Sequence, residues 1–153
     1  MNADRFTVIV ENDITQWQDD TGVSYHYPRR YLQLLEPGTR LIHYKGKLRD
    51  GAFRDNRLSE HPHYFGVSVA GDSRDDPAST KGDLILDVSQ YRVFDQAVLY
   101  KDDSGRYRET IPDNRSTNFW RDGVRSADPE TALAILTAAG ITDLSGIPPA
   151  NEN

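Results

Sequence analysis

Residues 21–47 read "TGVSYHYPRRYLQLLEPGTRLIHYKGK". The middle of this stretch sets the architecture. Pro28 suits a first helical turn, Tyr31, Leu32, Leu34 and Leu35 give the turns that follow an apolar face, and Pro37-Gly38 stops the run. "TRLIHYKGK" then has the β-branched and aromatic content of a strand. The flanking "TGVSYHYP" has no clear period and reads as irregular chain. The segment thus passes from a short helix directly into a strand, with aromatic side chains collected at both ends.

Outward from there, "RFTVIVEN" predicts a first strand, and "NDITQWQDD" a short helical turn capped by Asn12 or Asp13. "LRDGAFRDNRLSEHP" is polar and turn-rich and predicts a long loop. "HYFGVSVAGDS" predicts a strand interrupted by Gly66 and Gly71, "SRDDPASTKGD" a loop, and "DLILDVSQYRVF" and "QAVLYKDDSG" two more strands. The clearest helix is "DPETALAILTAAG". Asp128 is its N-cap, Pro129 its first residue and Glu130 a complement to its dipole; Leu133, Ile135 and Leu136 with the alanines form its buried face, and Gly140 ends it. The expected total is five or six strands and about three flanking helices, in an α+β domain with a small curved or barrel-like sheet. Residues 1–146 form the expected single domain and 147–153 a flexible tail.

No apolar run approaches the roughly 20 residues that span a bilayer, and "MNADRFTVIVEN" lacks a basic segment followed by an apolar one. The expected location is the cytoplasm, with no membrane partner. The chain has no cysteine, which removes disulfides, thiolate metal sites and a Cys nucleophile. Its net charge of −6 is unevenly spread. From Arg29 to Arg57, eight basic residues face three acidic ones, giving +5 there and −11 elsewhere. Such a segment suits a phosphate-facing patch on an acidic body, or a solvated basic loop.

The catalytic signatures sought are missing: no G-x-S-x-G, Walker loop, G-x-G-x-x-G or H-E-x-x-H occurs. His61 and His63 have no third metal ligand nearby in sequence, and Asp75-Asp76 before Pro77 reads as a turn. No cofactor or metal is expected. A metal-dependent hydrolase built on these residues is the third-ranked reading. The aromatics carry more information. Trp17, Tyr25, Tyr27, Tyr31 and Tyr44 fall within 28 residues, beside the basic segment, while Trp120 stands apart in "NFWRDGVR". Tyr31 shares the apolar helix face and belongs to the core. The others could stack a planar base, with Ser24, His26, Lys45 and main-chain amides as edge partners.

At this point the order of motifs resembles the EVE domains, relatives of the YTH domains in the PUA-like superfamily. "WQDD" from Trp17, "GVSYHYPRRYL" from Gly22 and "PGTRLIHYKG" from Pro37 follow that family's Trp-Asp, G-V-x-N-Y-x-A-R-N-x-L and V-G-D…F-Y-H-S series, and "YFGVSVAG", "DDPAS" and "DLILDVSQYRVFDQAVLYK" continue it in order. Residues 5–101 carry the resemblance, and the segment with Trp120 and the last helix follows it less specifically. Tyr25-His26 stands where the family has Asn-Tyr, and Tyr44-Lys45-Gly46 where it has Tyr-His-Ser. The resemblance implies a small β-barrel with helices around it. It implies a non-catalytic reader that takes a modified base of DNA or RNA, methylated or hydroxymethylated, into an aromatic pocket. The implied pocket residues are Trp17, Ser24, Tyr25, His26, Tyr44, Lys45 and Trp120; the phosphate-side residues are Arg29, Arg30, Lys47, Arg49, Arg54 and Arg57. Similar modules sit beside nucleases in modification-dependent restriction systems, so a separate nuclease or modification-system protein is an implied partner. A small-molecule, nucleotide-like ligand in the same pocket is the alternative.

Overall fold

The computed structural model describes residues 5–12, 21–115 and 118–142. Trp17, the expected turn over 13–20 and the expected tail at 147–153 lie outside them. Six strands, β1 (Phe6–Val10), β2 (Ser24–Tyr27), β3 (Arg40–Lys45), β4 (His63–Asp75), β5 (Leu84–Leu99) and β6 (Val124–Ala127), form one mixed sheet in the order β2-β5-β4-β3-β1-β6. Only β1 and β3 pair in parallel. The sheet curls until its edges meet. The Tyr25 hydroxyl of β2, on one edge, donates toward the carbonyls of Val10 and Gly123 at the other edge, at 3.2 and 3.1 Å.

Because strand side chains alternate, the curled sheet has two cores. Ile9, Tyr25, Tyr27, Leu35, Leu41, Ala70, Leu84, Leu86 and Val124 fill its inside. Phe6, Val8, Ile42, Tyr64, Val67 and Val69 line its outside and are covered by the helix α1 (Pro129–Ala138). The fold is therefore the expected α+β arrangement with a strongly curved sheet.

The helix α1 is built as its sequence dictates. The Asp128 carboxylate accepts from Thr131 N–H at 2.7 Å, Pro129 opens the helix, and Gly140 lies beyond its end at φ +83°. Ala132, Ile135 and Leu136 are buried, but Leu133 is exposed, turned about 100° from Ala132 around the helix. The segment after Pro28 is a 3-10 helix, Arg29–Leu35, rather than an α-helix. Seven residues give few turns to propagate, and Pro37 holds Glu36 in an extended conformation. Leu35 is buried and Leu32 is exposed. "TGVSYHYP", expected to be irregular, supplies β2, whose partner β5 lies some 60 residues away in sequence. The two strands expected over 83–94 and 96–105 are replaced by one long strand, β5, bent at register shifts against β4. The expected loop after β3 contains a 3-10 turn, Gly51–Asn56, capped by the Asp50 carboxylate on Ala52 N–H.

Candidate nucleic-acid interface

Where β3 ends, Tyr44 is in register with Tyr64 of β4, and Tyr64 with Val98 of β5. Tyr44 and Tyr64 therefore lie side by side on the outer face, and Tyr100 just beyond β5 extends the row. After β5 the chain turns back through "KDDSG" and bridges Lys101 to Tyr107. The 3-10 turn Phe119–Arg121 brings Trp120 against Tyr44, Tyr100 and Tyr107. Its ring stacks on Tyr44 at 5.9 Å and 26°, meets Tyr100 edge-on at 5.5 Å and 82°, and tilts against Tyr107 at 5.2 Å.

These rings border a cavity of about 490 Å³, within the usual range for a small planar ligand. The loop after β3 supplies its other wall with Gly46, Lys47, Arg49, Asp50 and Phe53. Rings packed on one another are ordinarily core. Here the cluster opens to solvent, since Tyr107 keeps 45% exposure. Asn12 also lines the cavity. Its side-chain oxygen accepts from Gly46 N–H at 3.0 Å, which leaves its nitrogen as the donor. Lys101 lies 5.6 and 5.0 Å from the Tyr100 and Tyr107 ring centres. Lys47 and Arg49 thus set two cations on the cavity wall beside the carboxylate of Asp50, and Lys101 adds a third cation over the Tyr100 and Tyr107 rings.

The cluster rests on a buried ion pair. Arg125 donates from Nε and Nη2 to the two oxygens of Glu109, both at 2.9 Å, and from Nη1 to the Asp122 carbonyl at 3.0 Å. Tyr64 donates its hydroxyl to Glu109 at 2.6 Å. The guanidinium also lies 4.8 Å from the Tyr44 ring centre and 5.1 Å from those of Phe119 and Trp120. Burial works against the Arg125 charge, and the Glu109 carboxylate outweighs it, so its pKa is raised. Burial pushes the Tyr44 phenol up to about 12, and burial with Glu109 pushes Tyr64 up as well. Both phenols are neutral donors near pH 7.

Of the residues expected to line the pocket, Tyr44 and Trp120 meet in this cavity, and Lys47 and Arg49 from the expected phosphate set stand on its wall. Lys45 does not join them. It follows Tyr44 on β3 and so points to the inner face, where its ammonium donates to the Glu11 carbonyl at 2.8 Å. Tyr25 is buried in the inner core, and Ser24 and His26 sit with it on β2, paired with Asp87 and Ile85. His26 Nε2 lies 4.0 Å from Asp76. Arg29 pairs with Asp75 at 2.7 Å, Arg30 stacks over Tyr31, and Arg54 pairs with Glu60 at 3.0 Å. Arg57 donates to the Gly46 and Ser59 carbonyls and braces the loop. The sequence reading missed Tyr100, Tyr107, Lys101, Asn12 and Phe53.

One constellation resembles a nucleophilic triad. Ser68 Oγ lies 2.7 Å from His43 Nε2, and His43 Nδ1 is hydrogen-bonded to Glu11. Ser68 is fully buried, so no substrate carbonyl reaches it, and the chain acts as a polar tie inside the sheet. Among the described residues no three His, Asp or Glu side chains gather as a metal site. The Asp76 carboxylate accepts from Ala78 N–H, as expected of a turn. No helix among them is long and apolar enough to cross a membrane.

No family model and no curated protein matches the chain. Among solved structures it is similar to the N-terminal domain of Staphylothermus marinus McrB, at 15% identity and a TM-score of 0.48, over 86% of this chain and 93% of that one. No property passes from that domain to this chain at such a distance.

Proposed function

We infer that the protein is a non-catalytic nucleic-acid-binding domain of the EVE type. It takes a modified base, methylated or hydroxymethylated, out of its strand and into the cavity of Tyr44, Tyr100, Tyr107 and Trp120. The observation that carries this reading is that solvent-open cavity, walled in part by Lys47 and Arg49 and with Lys101 over two of its rings, on a protein of net charge −6. Each aromatic face that stacks a base contributes roughly 1–3 kcal/mol. Asn12 and the backbone near Gly46 meet the edge of the base, and the three cations follow the flanking phosphates.

Aromatic cavities also bind methylated ammonium groups. The basic rim and the Arg125 cation behind the rings repel such a ligand, which favours a neutral heterocycle with attached phosphate. The ordered motifs shared with EVE domains point the same way. A free nucleotide is the second reading, favoured by the acidity of the chain as a whole.

The test is a panel of oligonucleotides, DNA and RNA, each carrying one modified base, titrated at several salt concentrations. Three phosphate contacts predict a slope of log affinity on log salt of about −2 to −3. One modified base should bind best. Equal weak affinity for modified and unmodified strands refutes the reading. Stabilisation against heat by free nucleosides with none by any strand selects the second.

A further inference from the structure

The loop that walls the aromatic cavity carries one ring whose place the packing does not explain. Phe53 lines the cavity and is half-buried. A half-buried aromatic side chain is ordinarily part of a core. Phe53 belongs to neither core of the sheet, and among the described residues no other ring packs against it. The rings on the opposite wall differ in this respect. Tyr44, Tyr100 and Tyr107 each meet Trp120, and Tyr44 also meets Tyr64. Tyr44 is buried, so the ring surfaces that remain open to a ligand are those of Tyr100, Tyr107 and Trp120. Phe53 faces the same space from the other side.

The backbone that carries Phe53 is held in place. Its N–H donates to the Asp50 carbonyl at 3.1 Å, within the turn that the Asp50 carboxylate caps at Ala52 N–H. The loop is closed at its base, where Leu48 N–H donates to the Glu60 carbonyl at 2.8 Å and Gly46 N–H to the Asn12 side chain at 3.0 Å. Arg57 ties the two ends together through the carbonyls of Gly46 and Ser59, and Arg54 pairs with Glu60 at 3.0 Å. The far side of the loop, with Asp55 and Arg57, borders a second cavity of about 400 Å³ beside Lys45 and Tyr91 on the inner face, so the loop straddles the end of β3. A ring set on such a braced loop is positioned before a ligand arrives, which lowers the ordering cost of binding.

We propose that Phe53 is the second stacking face of the site, so that a base enters between its ring and the fixed rings of Tyr100, Tyr107 and Trp120. This rests on the base-binding reading above and adds the mode of capture, a two-sided sandwich. A base covered on both faces has no face left for its neighbours, so it has left the stack of its own strand.

The test compares wild type, Phe53→Ala, Phe53→Leu and Phe53→Tyr. Each is titrated with the modified strand that the wild type binds best and with its unmodified counterpart. Leu keeps the apolar bulk without the flat face, and Tyr keeps the face. The expected result is that Phe53→Ala and Phe53→Leu bind the modified strand about five- to a hundredfold more weakly, while Phe53→Tyr stays within about twofold of wild type. Affinity for the unmodified strand and the melting temperatures should stay level, because Phe53 lies in neither core. Wild-type affinity in Phe53→Leu overturns this inference and leaves the base-binding reading standing. Loss in Phe53→Tyr as large as in Phe53→Leu, or a melting temperature about 4 °C or more lower in Phe53→Leu, overturns it too, the latter by making Phe53 a packing residue. A wild type that binds both strands equally overturns the reading and this inference together.

Discussion

Arg125→Met is the perturbation whose cost the structure defines most closely. The Arg125 and Glu109 side chains each keep 2% of their surface. Removing the guanidinium leaves the carboxylate buried, with Oε1 stripped of its donor and Oε2 holding only the Tyr64 hydroxyl. Breaking such a pair from one side costs about 3–5 kcal/mol, because the surviving charge has lost both its partner and its water. A domain of this size has about 5–15 kcal/mol of stability, and each kcal/mol moves Tm by about 2–4 °C. The variant should therefore melt roughly 6–20 °C lower. Arg125→Met/Glu109→Gln removes both charges and should recover at least about 1 kcal/mol relative to the sum of the single changes. Urea denaturation of the four proteins closes the cycle. A single-variant loss below about 1 kcal/mol, or strict additivity, would refute the claim that this ion pair carries the aromatic cluster.

Three further outcomes follow from the same contacts. Tyr44 and Tyr91 have their phenols pushed from 10.0 to about 12 by burial, and Tyr64 is raised too. A phenol that holds its proton more tightly when folded contributes stability that is complete below pH 10 and lost as pH rises toward 12, so denaturation midpoints should be level below pH 10 and fall steeply above it; level midpoints up to pH 12 would contradict the burial. Gly66→Ala should cost about 1–3 kcal/mol in denaturant unfolding, since its Cβ meets the Tyr91 ring on one side and the Arg92 carbonyl at 3.2 Å on the other. Asp128→Ala should cost about 1 kcal/mol by removing the cap on Thr131 N–H, while Asp128→Asn should cost little.

The helix α1 was legible in full because its signals are local: an acidic cap, a proline and a closing glycine. Strands β1 and β3 were legible for the same reason. Strand β2 was not, because what makes "SYHY" a strand is its pairing with β5, and four residues hold no period of their own. Part of the candidate site was readable. Tyr44, Lys47 and Arg49 sit in the basic aromatic segment, and Trp120 stood out by its chemistry. Tyr100 and Tyr107 were missed because they join Tyr44 only through the sheet order β5-β4-β3. Their signal was present as two tyrosines flanking the turn at "KDDSG". The grouping of Lys45 with Tyr44 overlooked strand alternation, which separates them onto two faces and, with them, two cavities.

The ratio of affinities for a strand with one modified base and its unmodified counterpart, measured in parallel on the wild type and Tyr100→Ala, bears most directly on the central claim. The account predicts a ratio of about tenfold or more in the wild type. In Tyr100→Ala that ratio should collapse toward one while the salt slope is unchanged, because Lys47, Arg49 and Lys101 still meet the phosphates. A ratio of one in the wild type, or a ratio untouched by loss of the Tyr100 ring, would contradict it.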